Sequence, residues 1–393
     1  MSDNSNLNPI HLNNDVSQGD SSSLSRPVSS DVGTSDEELL SLLQTSSSRT
    51  SKYDTNNANA EILEYVRDDR ILAIGVGGAG SNAINNIIER GGIGGATTIA
   101  INTDARHLLN TKAEKKLLIG KELTRGTGAG NDPNIGHAAA VENEEEIREL
   151  VRGTDLVFIA CGLGKGTGTG AAPYIAKIAQ EEGCLVISVC TLPFASEGES
   201  KMHTALRGLR ELNRHSNTII IVPNEKLVLE AADFSVLDAF ELADEVLINA
   251  VVGLTDVIVE TAKINVDLAD TKKILRNSGP AVISIGKGKG ENRALDAVNA
   301  VLTNSMLEAD ISKSTGALVN IKANKKITTM ELEAITNEIT SRIAPDALFI
   351  WGLSIDDTMA DDELFVTVVI AEVDSPYLEL EEDETTIEDL WYN

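Results

Sequence analysis

Gly162-Leu163-Gly164-Lys165-Gly166-Thr167-Gly168-Thr169-Gly170 decides how this chain is read. Before it stands Leu156-Val157-Phe158-Ile159-Ala160-Cys161, an unbroken apolar run of the kind found in strands buried on both faces. After it, residues 171–182 are good helix formers, with Pro173 placed for a first turn. Strand, glycine loop and helix together make an anion site. Glycines let the backbone approach a phosphate and aim successive N–H groups at it, and the helix N-terminus adds partial positive charge. Thr167 and Thr169 can add hydroxyl donors. A plain connector has no need of so much special backbone.

Outward from this loop, Ile71-Leu72-Ala73-Ile74 reads as a second buried strand. It leads into Gly75-Val76-Gly77-Gly78-Ala79-Gly80, with a helix expected over 81–90. Strands expected over 97–101, 117–119, 185–190 and 218–222 alternate with helices over 142–151 and 199–212. Such alternation predicts an α/β domain with a Rossmann-like, doubly wound, mostly parallel sheet covered on both faces. Ligands of such sheets sit beyond the carboxyl ends of the strands, which brings both glycine loops over one pocket. The first loop is G-x-G-x-x-G on Gly75, Gly77 and Gly80, and Asp104 follows the next strand, so a nicotinamide dinucleotide is a rival ligand. A third loop, Gly126-Thr127-Gly128-Ala129-Gly130, weighs against it. Three cradling loops suit a nucleoside triphosphate better than a shared pyrophosphate.

Gly164 to Gly170 also resembles the signature G-G-G-T-G-[ST]-G of the tubulin/FtsZ family, with Lys165 where that family has its second glycine. A P-loop would need G-x-x-x-x-G-K-[ST], and Lys165 is followed by Gly166. The resemblance covers roughly residues 67–373. It implies a GTPase that binds GTP and GDP with Mg²⁺, polymerises head to tail with copies of itself and serves in cell division.

The chain beyond the first sheet fits that family's plan. Residues 1–66 are polar, with serine tracts, and read as a disordered arm; within it, 35–43 could form a capped helix that docks on a partner or simply be part of the tail. A GTP-binding domain is expected over 67–234, a central core helix over 235–262, a smaller α+β domain over 263–373 and an acidic tail over 374–393. The core helix is apolar around most of its circumference, as in a helix sandwiched between two domains. In the second domain, helices are expected on one face of a small sheet. From Asp374 onward there are eight acidic residues and no basic ones, ending in Ile387, Leu390 and Trp391 at helical spacing.

Composition narrows the partners. A net charge of −28, from 33 Lys and Arg against 61 Asp and Glu, argues against nucleic acid and against direct attachment to an anionic membrane. No run reads as a membrane span or a signal segment, so a cytoplasmic protein is expected; the resemblance implies that it acts at the division site, where the terminal Trp391 element is either a hook for a membrane-anchored adaptor or other division protein or an unused tail end. Cys161, Cys184 and Cys190 match no zinc spacing and read as buried free thiols.

The resemblance also implies site residues. Nucleotide contacts carry over to Gly77, Gly78, Ala79, Asn82, Asn102, Asp104, Gly128, Ala129, Gly130, Gly162, Gly164, Lys165, Gly166, Thr167, Gly168, Thr169, Glu197, Lys201 and Asn224. Lys201 stands where bacterial members commonly have an arginine; it keeps the charge and loses the bidentate fork. Phe240 and Asp244 carry over as the base-binding pair, Phe240 for stacking and Asp244 to accept from the N1–H and amine of guanine; without the family, Asp244 would read as a solvated helix carboxylate. Asn265, Asp267 and Asp270 match the family's N-x-D-x-x-D catalytic loop, which docks on the next subunit's nucleotide and orients water. On the residues alone, Asp267 and Asp270 read as helix-start acids. Lys165 is placed either to add a cation near the phosphates or to crowd a loop that favours glycine. The alternative to a polymerising GTPase is a nucleotide-binding regulator or scaffold of the same fold that does not assemble.

Overall fold

The apolar run before the signature is strand β4 (Leu156–Gly162), every residue of it buried up to Gly162. It lies between β1 (Ile71–Val76) and β5 (Leu185–Leu192), both parallel to it. The computed structural model describes residues 70–226, 245–255, 268–276, 278–303 and 311–379. Within them a ten-stranded sheet runs in the order β3-β2-β1-β4-β5-β6-β7-β10-β8-β9. The remaining strands are β2 (Ala96–Asn102), β3 (Lys115–Leu118), β6 (Thr218–Pro223), β7 (Gly279–Lys289), β8 (Gly316–Ala323), β9 (Leu348–Ile355) and β10 (Glu363–Ala371).

Strand period sorts the core. Leu156, Phe158 and Ala160 point to one side of the sheet, Val157, Ile159 and Cys161 to the other. The first side is covered by α1 (Gly77–Glu89) through Ala83, Ile84 and Ile87, and by the helical stretch 245–255 through Leu247, Val251 and Leu254. The second is covered by α4 (Pro133–Glu142), α5 (Glu144–Val151), α6 (Thr167–Glu181) and α7 (Glu199–His215). Two short helices, α2 (Ala105–Asn110) and α3 (Lys121–Thr124), come earlier in the chain. Each fully buried Leu, Ile, Val or Phe contributes about 1.5–3 kcal/mol, so this double-sided core dominates the stability of the sheet.

Four expectations are corrected. First, α6 begins at Thr167 and not at 171, so the last four residues of the signature are its first turn, and Pro173 lies inside the helix. Likewise α1 begins at Gly77 and not at Ser81. Second, α4 has no counterpart among the expected helices; Asp132 caps it through a 2.8 Å bond from Asn134 N–H, and Pro133 occupies its first turn. Third, the second half of the chain does not build a separate sheet. β7 pairs in parallel with β6 from Thr218↔Gly279 to Ile220↔Ala281, then antiparallel with β10.

Fourth, both faces of β7, β8 and β10 are covered. α9 (Arg293–Leu302) and α10 (Thr329–Thr340) pack on one face. On the other face, Ile283, Leu318 and Val369 meet the stretch 245–255 and α8 (Leu268–Leu275). The last described element is α11 (Pro376–Glu379). All three cysteines are buried free thiols, as expected. No described helix is long and apolar enough to cross a membrane.

Candidate nucleotide site

A cleft of about 530 Å³ opens at the carboxyl ends of five parallel strands. Residues at or just past each end line it: Ala79 after β1, Asn102 in β2, Gly162 in β4, Thr191 in β5 and Asn224 after β6. Two helix N-termini face it, those of α1 and α6. Neither has a side-chain cap; Val76 and Gly166 hold the cap positions and accept nothing through a side chain. Their first N–H groups are therefore the unpaired donors of an α-helix, reinforced by two macrodipoles. By contrast Asp104, Asp132 and Thr328 cap α2, α4 and α10 with their side chains.

The glycine loops meet because glycine permits it. Gly77 has φ +73°, and a Cβ there would lie 2.9 Å from the Gly168 nitrogen. At the far side of the signature, a Cβ on Gly170 would lie 2.0 Å from the Pro133 carbonyl oxygen, so α4 and α6 cross at backbone contact. The third loop is tied to the turn after β2, with Gly128 N–H donating to Thr103 O (3.1 Å) and Ala105 N–H to Gly126 O (3.0 Å). That turn is joined to α6 by the Thr103 and Thr167 hydroxyls, 2.7 Å apart. Asp104 accepts from the N–H groups of Arg106 (2.9 Å) and His107 (3.1 Å) and donates its own N–H to Asn102 Oδ1.

On one wall, Glu197 Oε2 holds Lys201 Nζ at 3.0 Å and has Lys165 Nζ at 3.8 Å. Lys165 lines the cleft with its side chain 59% exposed, and Lys201 is 35% exposed. Asn224, also lining the cleft, is buried, and its Oδ1 has no hydrogen-bond partner among the described residues. A buried acceptor costs roughly 1–3 kcal/mol unless a donor meets it, and this one faces a cleft of ligand size.

Of the nucleotide contacts read from the sequence, Gly78, Ala79, Asn82, Asn102, Asp104, Gly128, Ala129, Gly130, Gly162, Lys165, Gly166, Thr167, Gly168, Glu197 and Asn224 line this one cleft. Gly77, Gly164, Thr169 and Lys201 do not. Thr169 is turned away from it: its hydroxyl accepts from Gly164 N–H at 2.9 Å, bracing the base of the loop, and its side chain borders a different cleft. His107, Asn131, Thr191 and Pro193 line the site and were not read from sequence. Thr191 and Pro193 had a signal, since they sit at the carboxyl end of a parallel strand.

Of the proposed catalytic set only Asp270 is described; it stands in the first turn of α8, half exposed, with Oδ1 2.5 Å from Lys273 Nζ. Asn265, Asp267, Phe240 and Asp244 lie outside the described residues. Among the described residues no cluster of three metal-ligating side chains occurs.

Comparison with known proteins agrees with this geometry. The GTPase domain of the tubulin/FtsZ family matches residues 70–231, and the C-terminal domain of the FtsZ family matches 279–374. The chain is 45% identical over 317 residues to cell division protein FtsZ 1 of Methanocaldococcus jannaschii, covering 80% of this chain and 86% of that one. It is 44% identical over 324 residues to FtsZ 1 of Thermococcus kodakarensis, covering 82% and 86%. Among solved structures, an empty FtsZ dimer from M. jannaschii superposes with a TM-score of 0.75 at 44% identity, over 81% of this chain and 92% of that one. CetZ2 from Haloferax volcanii, at 24% identity and a TM-score of 0.65, shares the fold. Two uncapped helices over one cleft, a sheet continuous through both halves and these matches have one reading: the chain belongs to the tubulin/FtsZ family as an FtsZ-type cell-division GTPase, with archaeal FtsZ proteins among its relatives.

Proposed function

We propose that the cleft holds GTP with its phosphates across the N-termini of α1 and α6 and its base toward Asn224. The observation that carries this is the pair of uncapped helix N-termini, held together by the contact between Gly77 and Gly168. Gly78, Ala79, Gly166, Thr167 and Gly168 donate to phosphate oxygens, and Gly128 to Gly130 close the third side. Lys165 and Lys201, flanking Glu197, add positive charge where the phosphate chain leaves the helix ends. Asn224 Oδ1 gains a donor from the base. Phe240 and Asp244 complete the base slot. Mg²⁺, bound through phosphate oxygens and water, would neutralise charge that develops during phosphoryl transfer.

The carboxylates that line the cleft are already engaged, Asp104 by the N–H groups of Arg106 and His107 and Glu197 by Lys201, which leaves water activation to other acids. The acids come from another copy of the chain: Asn265, Asp267 and Asp270 of the next subunit orient water against the terminal phosphate. Hydrolysis therefore accompanies head-to-tail assembly, in the cytoplasm at the division site, and the acidic tail links the polymer to a membrane-anchored adaptor. Equilibrium titration tests the cleft itself: GTP and GDP bind, ATP and NAD bind far more weakly, and Asn224→Leu weakens GTP about tenfold. Equal affinity for GTP and NAD would contradict the assignment.

A further inference from the structure

A second cleft, of about 500 Å³, lies between α4, α6 and α7, away from the glycine loops. Its floor is apolar and aromatic, with Pro133, Pro173 and Tyr174, and the rings of His137 and Tyr174 pack edge to face at 5.0 Å. Lys177 Nζ stands 5.7 Å from the Tyr174 ring centre. Arg207 lines the opposite wall, exposed, with no ion pair among the described residues. The one carboxylate lining this cleft is Glu211, which is paired with Arg214. In a chain of net charge −28, α7 carries Lys201, Arg207, Arg210 and Arg214 against Glu199 and Glu211, so its surface is locally basic.

The described chain ends beside this cleft. α11 packs on α7, and its Tyr377 is buried in the same core cluster as Met202, Leu206 and Leu209 of α7. Residues 380–393 follow, with six acidic side chains, no basic one, and the stretch Leu390-Trp391-Tyr392-Asn393. Extended, they reach about 45 Å, while α7 is about 25 Å long, so the whole face of α7 is within their range. An aromatic floor, a cation unpaired among the described residues and an acidic segment with Trp391 and Tyr392 tethered next door are complementary.

We propose that residues 380–393 dock in cis in the cleft between α4, α6 and α7, with Trp391 against Pro173 and Tyr174 and the tail carboxylates on Arg207 and Lys177. Tethering makes the docking intramolecular, so modest contacts suffice. A partner that takes the tail must first displace it from this cleft, which couples tail recognition to the outer face of the GTPase domain.

Quenching of Trp391 by acrylamide tests this in the full chain carrying Trp351→Phe, which leaves one tryptophan. At low salt the quenching constant is severalfold lower than for the free peptide 380–393, at every protein concentration. Arg207→Glu combined with Lys177→Gln, which lie on the surface outside the GTP cleft, raises it to the peptide value while GTP binding and the unfolding temperature hold. Quenching equal to the peptide's in the parent chain overturns the proposal. So does protection indifferent to those two substitutions, which places the tail elsewhere, or protection that grows with protein concentration, which places it on a neighbouring copy.

Discussion

The Oγ1 atoms of Thr103 and Thr167 lie 2.7 Å apart, across sixty-four residues of sequence. Thr103 belongs to the turn after β2 and Thr167 is the first residue of α6, so this bond clamps the wall that carries Asp104 to the helix proposed to receive phosphate. Thr103 is fully buried, and Thr103→Val would leave the hydroxyl of Thr167 without this partner. The loss of one buried hydrogen bond, about 1 kcal/mol, predicts a fivefold to tenfold weaker GTP affinity with only a small fall in melting temperature. Isothermal titration and a thermal melt on the same sample separate the two effects.

Gly77→Ala is predicted to be far more harmful than its size suggests. The backbone there is in the left-handed region, and the added Cβ would meet the Gly168 nitrogen at 2.9 Å. Strain of about 1–3 kcal/mol is expected from the backbone alone, and separating the loops removes the paired helix ends. GTP binding is expected to be lost at concentrations that saturate the parent, in a chain whose far-ultraviolet circular dichroism is unchanged.

Lys165→Gly tests the odd position of the signature. The ion pair with Glu197 is long, 3.8 Å, and exposed on the lysine side, so stability changes by about 0.5 kcal/mol or less. GTP affinity or turnover falls severalfold, and the salt dependence of binding becomes shallower as one cation leaves the cleft. Unchanged kinetics at low salt would remove Lys165 from the site.

In the second half of the chain, Arg293 is buried and grips Glu331 through two bonds of 2.6 and 3.1 Å while also donating to Asp361 O. The guanidinium holds the Glu331 carboxyl down to about 2, with further help from the Thr328 N–H and hydroxyl. A carboxylate whose folded pKa lies below its unfolded one stabilises the fold fully above the unfolded value of about 4.5. That stabilisation is lost progressively as pH falls from there toward 2. Urea unfolding between pH 6 and 3 therefore shows a steeper loss for the parent chain than for Glu331→Gln. Glu331→Ala costs about 2–4 kcal/mol at pH 7, because it strands a buried guanidinium.

The thiols are predicted to be inert while the chain is folded. Burial pushes Cys161 up to about 12 and Cys184 up to about 11, and raises Cys190 as well. Thiolate is the reactive form, so a disulfide reagent should modify none of the three until urea opens the sheet. Rapid modification of native protein would mean that β4 and β5 open locally.

Much of this was legible in the sequence because it rests on local pattern. The six residues from Leu156 to Cys161 have no polar member and are rich in strand formers, as in a strand covered on both sides. What escaped were features set by packing. The start of α6 inside the glycine run was hidden because glycine is a poor helix former, whereas here its small size is what lets α4 and α6 touch at Gly170. The α4 helix, capped by Asp132 and opened by Pro133, had a visible start but a weak apolar face. The short parallel pairing of β6 with β7, three residues long, has no sequence signature. The side of a loop on which a hydroxyl ends up is equally silent, which is why Thr167 and Thr169 read alike and part company in the fold.

The central claim is that the cleft and the catalytic acids belong to different copies of the chain. GTP turnover per subunit, measured against protein concentration with light scattering on the same samples, tests it most directly. The account predicts activity near zero below a threshold, rising where scattering appears, and abolished by Asp267→Ala although GTP still binds. Turnover per subunit that is constant through and below the scattering threshold would contradict it, because one subunit would then hold a complete active site.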